Sequence, residues 1–134
     1  MKTYNISITN ANIKITEENI SDILSSAIYG GIGYWAIIDN TGVEVNANES
    51  YEEVYTKILV GGGYIKVIDV DVEDDPITYW FNLNELLSGI QLWIELGMDR
   101  YGAVNGNELD CGNIDSECAD CIIQLTLFDD VVYG

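Results

Sequence analysis

Asp69, Asp71 and Glu73 stand at every second position of Gly61 to Phe81, GGGYIKVIDVDVEDDPITYWF. Side chains of a strand alternate between its faces, so an extended chain here would set three carboxylates in a row. Their spacing would be roughly 6.6 Å, of the order of successive phosphates on one DNA strand. Such a row does no bond-making chemistry alone. It presents negative charge to a lysine- or arginine-lined surface. Asp74-Asp75-Pro76 reads as the turn of a β-hairpin, and Ile77 to Phe81 as its aromatic return strand. Asp110, Asp115, Glu117, Asp120, Asp129 and Asp130 continue the acidity through the C-terminal third.

Other reactive residue types give less. The chain has no histidine, so neither a Ser-His nor a Cys-His pair can be built. Cys118 and Cys121 form C-x-x-C with Cys111 upstream, but a zinc site wants four Cys or His ligands. A redox C-x-x-C follows a strand, whereas an Asn/Gly-rich stretch precedes this one; acidic neighbours also raise thiol pKa. Structural, reduced thiols are expected. Asn105, Asn107, Asp110, Asn113, Asp115, Glu117 and Asp120 offer hard oxygen donors without EF-hand spacing, so adventitious cation binding is the expectation. Gly30-Gly31 and Gly61-Gly62-Gly63 each follow a helical pattern and precede a strand. That is the reverse of a phosphate-binding loop and fits helix stops in a left-handed conformation. Twenty-three acids make any carboxylate pair uninformative about glycosidase chemistry. No catalytic residue, metal or cofactor is expected.

The formal net charge is −18, with 23 acids against five bases. Residues 1–66 carry −4 and residues 67–134 carry −14. This field repels nucleic acid and anionic membranes and attracts basic protein surfaces. Nearly half of the residues are apolar, which argues for a packed core. The start MKTYNISITN lacks the apolar segment of a signal peptide, and no run is long enough to span a membrane. A cytoplasmic location in a bacterial host is the expectation.

These residues must be positioned by an α+β fold: a single domain, 1–134, with an antiparallel or mixed sheet and about four helices. Residues 2–9 read as a strand, with Ile13 to Ile15 continuing it or pairing with it. Thr16 caps a helix carrying Ile20, Ile23, Leu24, Ala27 and Ile28. Tyr34 to Ile38 forms a strand, with Val43 and Val45 as its hairpin partner. Ser50 and Glu53 make a capping box for a helix over 51–60, and Asn82 and Glu85 repeat it for a helix ending at Gly97. Gly89 marks a close packing contact within that helix. Residues 98–114 read as a long loop with a short hairpin, followed by a helix over about 116–128 and a last strand at Val131 to Tyr133. Helix, glycine stop and Tyr-led strand occur twice at an offset of 30, as a duplication or as one connection solved twice.

Gly30-Gly31-Ile32-Gly33-Tyr34-Trp35 and Asp115…Ala119-Asp120-Cys121-Ile122-Ile123-Gln124…Val132-Tyr133-Gly134 resemble a family of small acidic proteins encoded by phages and mobile elements of Gram-positive bacteria. GG-x-x-YW and AD-x-I-x-Q are the specific pieces, and the resemblance covers most of the chain. It implies a mobile-element accessory protein and brings no site residues with it. By analogy, such proteins counter host defence, as anti-CRISPR and anti-restriction proteins do.

The expectation is therefore a non-enzymatic inhibitor that occupies the basic groove of a host nuclease or DNA-binding complex, without binding nucleic acid or membrane itself. The alternative is a small-ligand binder that sequesters a signalling molecule in an aromatic pocket of Tyr34, Trp35, Tyr79 and Trp80 beside Arg100. Self-association into a homodimer is left open.

Overall fold

The computed structural model describes residues 2–8, 11–72, 74–99 and 102–134. Strands β1 (Thr3–Ile8) and β2 (Ala11–Thr16) pair antiparallel, from Thr3 opposite Thr16 to Ile8 opposite Ala11. Ile6, Ile13 and Ile15 turn inward. The Thr16 hydroxyl accepts from the Asn19 N–H, and Asn19 returns the bond to Thr16. This capping box starts α1 (Glu17–Ser26), whose Ile20, Ile23 and Leu24 are fully buried. A π-helical turn, Ala27–Gly31, continues it.

Neither Gly30 nor Gly31 has a positive φ, so the expected left-handed stop is corrected. Proximity is the physical reason for glycine here. A Cβ on Gly31 would lie 2.7 Å from the Ser116 carbonyl oxygen, and one on Gly30 would lie 3.3 Å from Ser116 Cβ.

Strand β3 (Ala36–Ile38) pairs antiparallel with β4 (Ile65–Asp69), which pairs antiparallel with β5 (Ile77–Phe81). Val43 and Val45 form no strand. The partner edge of β3 is taken by β4, and Asp39 turns the chain away by accepting from the Thr41 N–H and hydroxyl. Between β3 and β4 lies α2 (Tyr51–Val60), with the Ser50 hydroxyl accepting from the Glu53 N–H. Gly62, at φ 89°, follows it. The offset of 30 maps the strand pair Ile37–Ile68 onto Val67–Ile38. The two helices that precede these strands, α1 and α2, also touch.

The Asn82–Glu85 capping box opens α3 (Leu83–Glu95). The short strands β6 (Val104–Asn105) and β7 (Glu108–Leu109) form the small hairpin, and β7 lies parallel to β2. The first sheet therefore runs β1-β2-β7-β6 and the second β3-β4-β5, two sheets where one was expected within the same α+β class. Asp115 caps α4 (Ser116–Phe128) by accepting from the Cys118 N–H at 2.8 Å. This helix is the centre of the molecule: α3, α1, the π-turn and β5 all contact it. Gly89 fits against it, since a Cβ there would fall 2.1 Å from Thr126 Oγ1. Among the described residues, no helix is long and apolar enough to cross a membrane.

Candidate functional site

The carboxylate row does not form as expected. Asp69 follows Ile65 and Val67 onto the inner face of β4 and is only 1% exposed. Its Oδ1 accepts from the Asp71 N–H at 3.0 Å, its Oδ2 accepts from the Tyr133 hydroxyl, and the strand ends there. That turn breaks the alternation, which leaves Asp71, Asp74 and Asp75 exposed on a loop rather than aligned along a strand. Glu73 lies outside the described residues, as does Arg100. Asp120 is also buried, at 6% exposure. Asp115 and Glu117 are exposed at the start of α4, and Asp129 and Asp130 just past its end. Asp110 is exposed on a different side, beside α1.

The two buried carboxylates belong to one polar network. Asp120 accepts from the Trp35 indole at 2.7 Å, the Tyr34 hydroxyl at 2.6 Å and Gln124 Nε2 at 3.0 Å. Gln124 Oε1 accepts from the N–H groups of Val132 and Tyr133, each at 2.8 Å, while its Nε2 also reaches the Tyr133 carbonyl at 3.3 Å. One carboxamide thus stands in for a strand partner, and the expected strand over Val131 to Tyr133 is absent. The Tyr133 ring stacks on Trp35, centroids 5.0 Å apart, and meets Phe128 edge-on. Burial, then the bond to Asp120, pushes the Tyr34 phenol up to about 12. The bond to Asp69, then burial, does the same for Tyr133. The GG-x-x-YW and AD-x-I-x-Q pieces, 85 residues apart at Trp35 and Asp120, meet here as a clasp on the C-terminal segment.

Family models, curated proteins and solved structures give no match to the chain.

The aromatic residues of the alternative pocket do not gather into one ligand site, although Tyr34 and Trp35 meet at Asp120. Trp35 lies fully buried beneath Tyr133, and Tyr79 packs edge-on against Phe128. Trp80 points to the opposite face of β5, 54% exposed, with the Lys66 ammonium 5.9 Å from its ring. A cavity of about 310 Å³ opens elsewhere, lined by Tyr29, Tyr51, Tyr55, Ile37, Ile38 and Asn40 among others. An acidic groove of about 600 Å³ is lined by Glu18, Asp22, Glu108 and Asp110, with Lys14 at its side. Burial and the nearby Glu18 and Glu52 raise the Asp22 pKa. Sequence reasoning missed this convergence because the acids come from three separate elements. Tyr51 and Tyr55, one helical turn apart, were the legible trace of the tyrosine cavity.

Among the described residues, no disulfide forms between Cys111, Cys118 and Cys121. Burial, followed by the charge of Asp22, pushes the Cys111 thiol up to about 12; burial likewise takes Cys118 to about 11. Both are therefore poor nucleophiles. Among the described residues, no three His, Cys, Asp or Glu side chains gather in a way that could hold a metal ion.

Proposed function

We propose that this chain is a non-enzymatic accessory protein of a phage or mobile element. It inhibits a host defence nuclease or nucleic-acid-binding complex by offering an acidic surface to that partner's basic groove. One observation carries the reading: the net charge is −18, and among the described acids only Asp69 and Asp120 are buried. Among the described residues only Lys57–Glu49 and Lys66–Asp39 form ion pairs. Asp71, Asp74, Asp75, Asp110, Glu117, Asp129 and Asp130 remain exposed, so the contact surface is the β4–β5 loop with the ends of α4 rather than a strand. Asp69 and Asp120 support that surface from within. Association is fast and salt-sensitive on this reading, since charge complementarity acts chiefly on the encounter rate.

The test is a pull-down from nuclease-treated bacterial lysate at low and high salt, with eluted proteins identified by mass. A basic nuclease or DNA-binding complex is retained at low salt and released at high salt. Replacing Asp71, Asp74 and Asp75 together by lysine weakens capture of that protein on the order of tenfold. Undiminished capture by the triple variant removes the loop from the mechanism. Recovery of no basic partner from a host that carries such complexes removes the inhibitor reading.

A further inference from the structure

The three-stranded sheet leaves one strand edge open. In an antiparallel ladder the N–H and C=O of one residue point to the same side, and successive residues alternate. On β4 the Lys66 carbonyl accepts from the Asp39 N–H at 2.9 Å, so Lys66 and Ile68 bond toward β3. Ile65, Val67 and Asp69 therefore bond toward β5, where the register sets them opposite Phe81, Tyr79 and Ile77. That leaves Thr78 and Trp80 with their backbone groups pointing away from β4. β5 is the outermost strand on that side, and among the described residues no hydrogen bond reaches those groups. The opposite edge differs: the Ala36 N–H of β3 bonds the Ile32 carbonyl at 2.9 Å. In the other sheet, the edge strand β1 lies against α3. Edge strands are commonly blunted by lysine, an internal proline or a bulge. β5 has no charged residue, no proline and an unbroken register, and its Ile77 and Trp80 are 45% and 54% exposed.

We propose that β5 pairs antiparallel with β5 of a second copy of this chain, across a twofold axis at Tyr79. Thr78 then faces the partner's Trp80 and exchanges both N–H···O=C bonds with it, and Trp80 does the same with the partner's Thr78. Every outward N–H and C=O of both strands is satisfied, as a self-complementary twofold contact requires. The side chains agree with this register. Thr78 and Trp80 share the outer face of the sheet, so each indole covers the partner's threonine, while the two Tyr79 rings stand side by side on the other face, beside Phe128. Charge selects the same occupant. The strand has none with which to attract a basic or an acidic peptide, and the antiparallel arrangement sends Asp71, Asp74 and Asp75 of the two loops to opposite ends. The −18 on each copy opposes the contact from a distance, so the dimer is weak at low salt and tightens as salt screens it. A basic partner held by the acidic loops has the opposite salt dependence.

The test is sedimentation velocity of the whole chain from low micromolar to submillimolar concentration, in low salt and in about 0.5 M sodium chloride. A monomer–dimer equilibrium is expected, with the dimer favoured by salt. Hydrogen exchange reads the contact itself. The amides of Ile77, Tyr79 and Phe81 are protected at every concentration, those of Thr78 and Trp80 only where the dimer forms. Thr78→Pro removes an outward N–H at a place where a strand tolerates proline, and Trp80→Lys supplies the lysine that edges usually carry. Each raises the dimer dissociation constant about tenfold or more, with the monomer's circular dichroism native. Ile37→Lys makes the same change of charge on β3 and leaves the constant within about twofold. A chain that stays monomeric at high salt, a dimer that dissolves as salt rises, exchange at Thr78 and Trp80 that ignores concentration, or a dimer that survives both β5 variants overturns the proposal. Protection of those two amides only after lysate proteins are added overturns the second copy as the occupant.

Discussion

Gln124 has five hydrogen-bond contacts and no exposure, so its removal tests the clasp directly. Gln124→Leu leaves the N–H groups of Val132 and Tyr133 without their acceptor and is expected to cost about 2–3 kcal/mol. Hydrogen exchange at those two amides should rise far more than at the centre of α4; equal protection would show that ring packing alone holds the segment. Alkaline pH tests the same network from the other side. Tyr34 and Tyr133 are held up at about 12, above the ordinary value of 10.0, and Cys111 and Cys118 at about 12 and 11, above 9.0. Folded-state values above unfolded ones mean that their contribution is complete below about pH 9 and is lost as pH climbs toward 12. The thermal midpoint should fall across that window, and Tyr133→Phe should flatten the fall while lowering stability at neutral pH. An unchanged slope in that variant would detach Tyr133 from the effect.

At the scale of elements, the contact between α3 and α4 depends on the missing side chain of Gly89. Alanine there gains about 1 kcal/mol in helix propensity. Its Cβ, however, would meet Thr126 Oγ1 at 2.1 Å and Thr126 Cα at 2.9 Å. Overpacking of this kind costs about 1–3 kcal/mol, so Gly89→Ala should destabilise on balance. Adding Thr126→Ala should recover part of the loss, because the hydroxyl clash goes while the Cα clash stays. Chemical denaturation of the four members of that double-mutant cycle measures the coupling, and strict additivity would contradict the contact. A close approach inside this helix was legible in the sequence. Its partner on α4 was not, since nothing local specifies which turn of a second helix a glycine faces.

Across the whole molecule, self-repulsion is the dominant electrostatic term. With −18 to hold together, the folded state should gain from screening. The thermal midpoint is expected to rise by several degrees from low salt to about 0.5 M sodium chloride, where the Debye length falls to a few ångströms. A midpoint that falls over that range would mean that the few ion pairs outweigh the repulsion. The same excess charge drives the partner reading, so this measurement also tells whether it is a strain on the fold.

The sequence by itself determined the helices and the α+β class, because the N-caps at Thr16 and Ser50, the capping box at Asn82, the period of α1 and the stops at Gly62 and Gly97 act over a few residues; at Ser50 only the half of the expected box that runs from the Glu53 N–H to the Ser50 hydroxyl forms. It also determined the net charge, and with it the sign that the proposed partner would carry, since charge is additive and needs no fold. Even the burial of Asp69 was open to inspection, for it shares parity with Ile65 and Val67. Only the tertiary structure decided which acids face water, which aromatics face one another and what the two motif pieces are for. Asp120 meets Trp35 across 85 residues, Tyr133 meets Asp69 across 64, and Glu18, Asp22, Glu108 and Asp110 converge from three elements. Such juxtapositions are set by how α4 sits among its neighbours. That placement depends on the shape of the whole core and on no local preference.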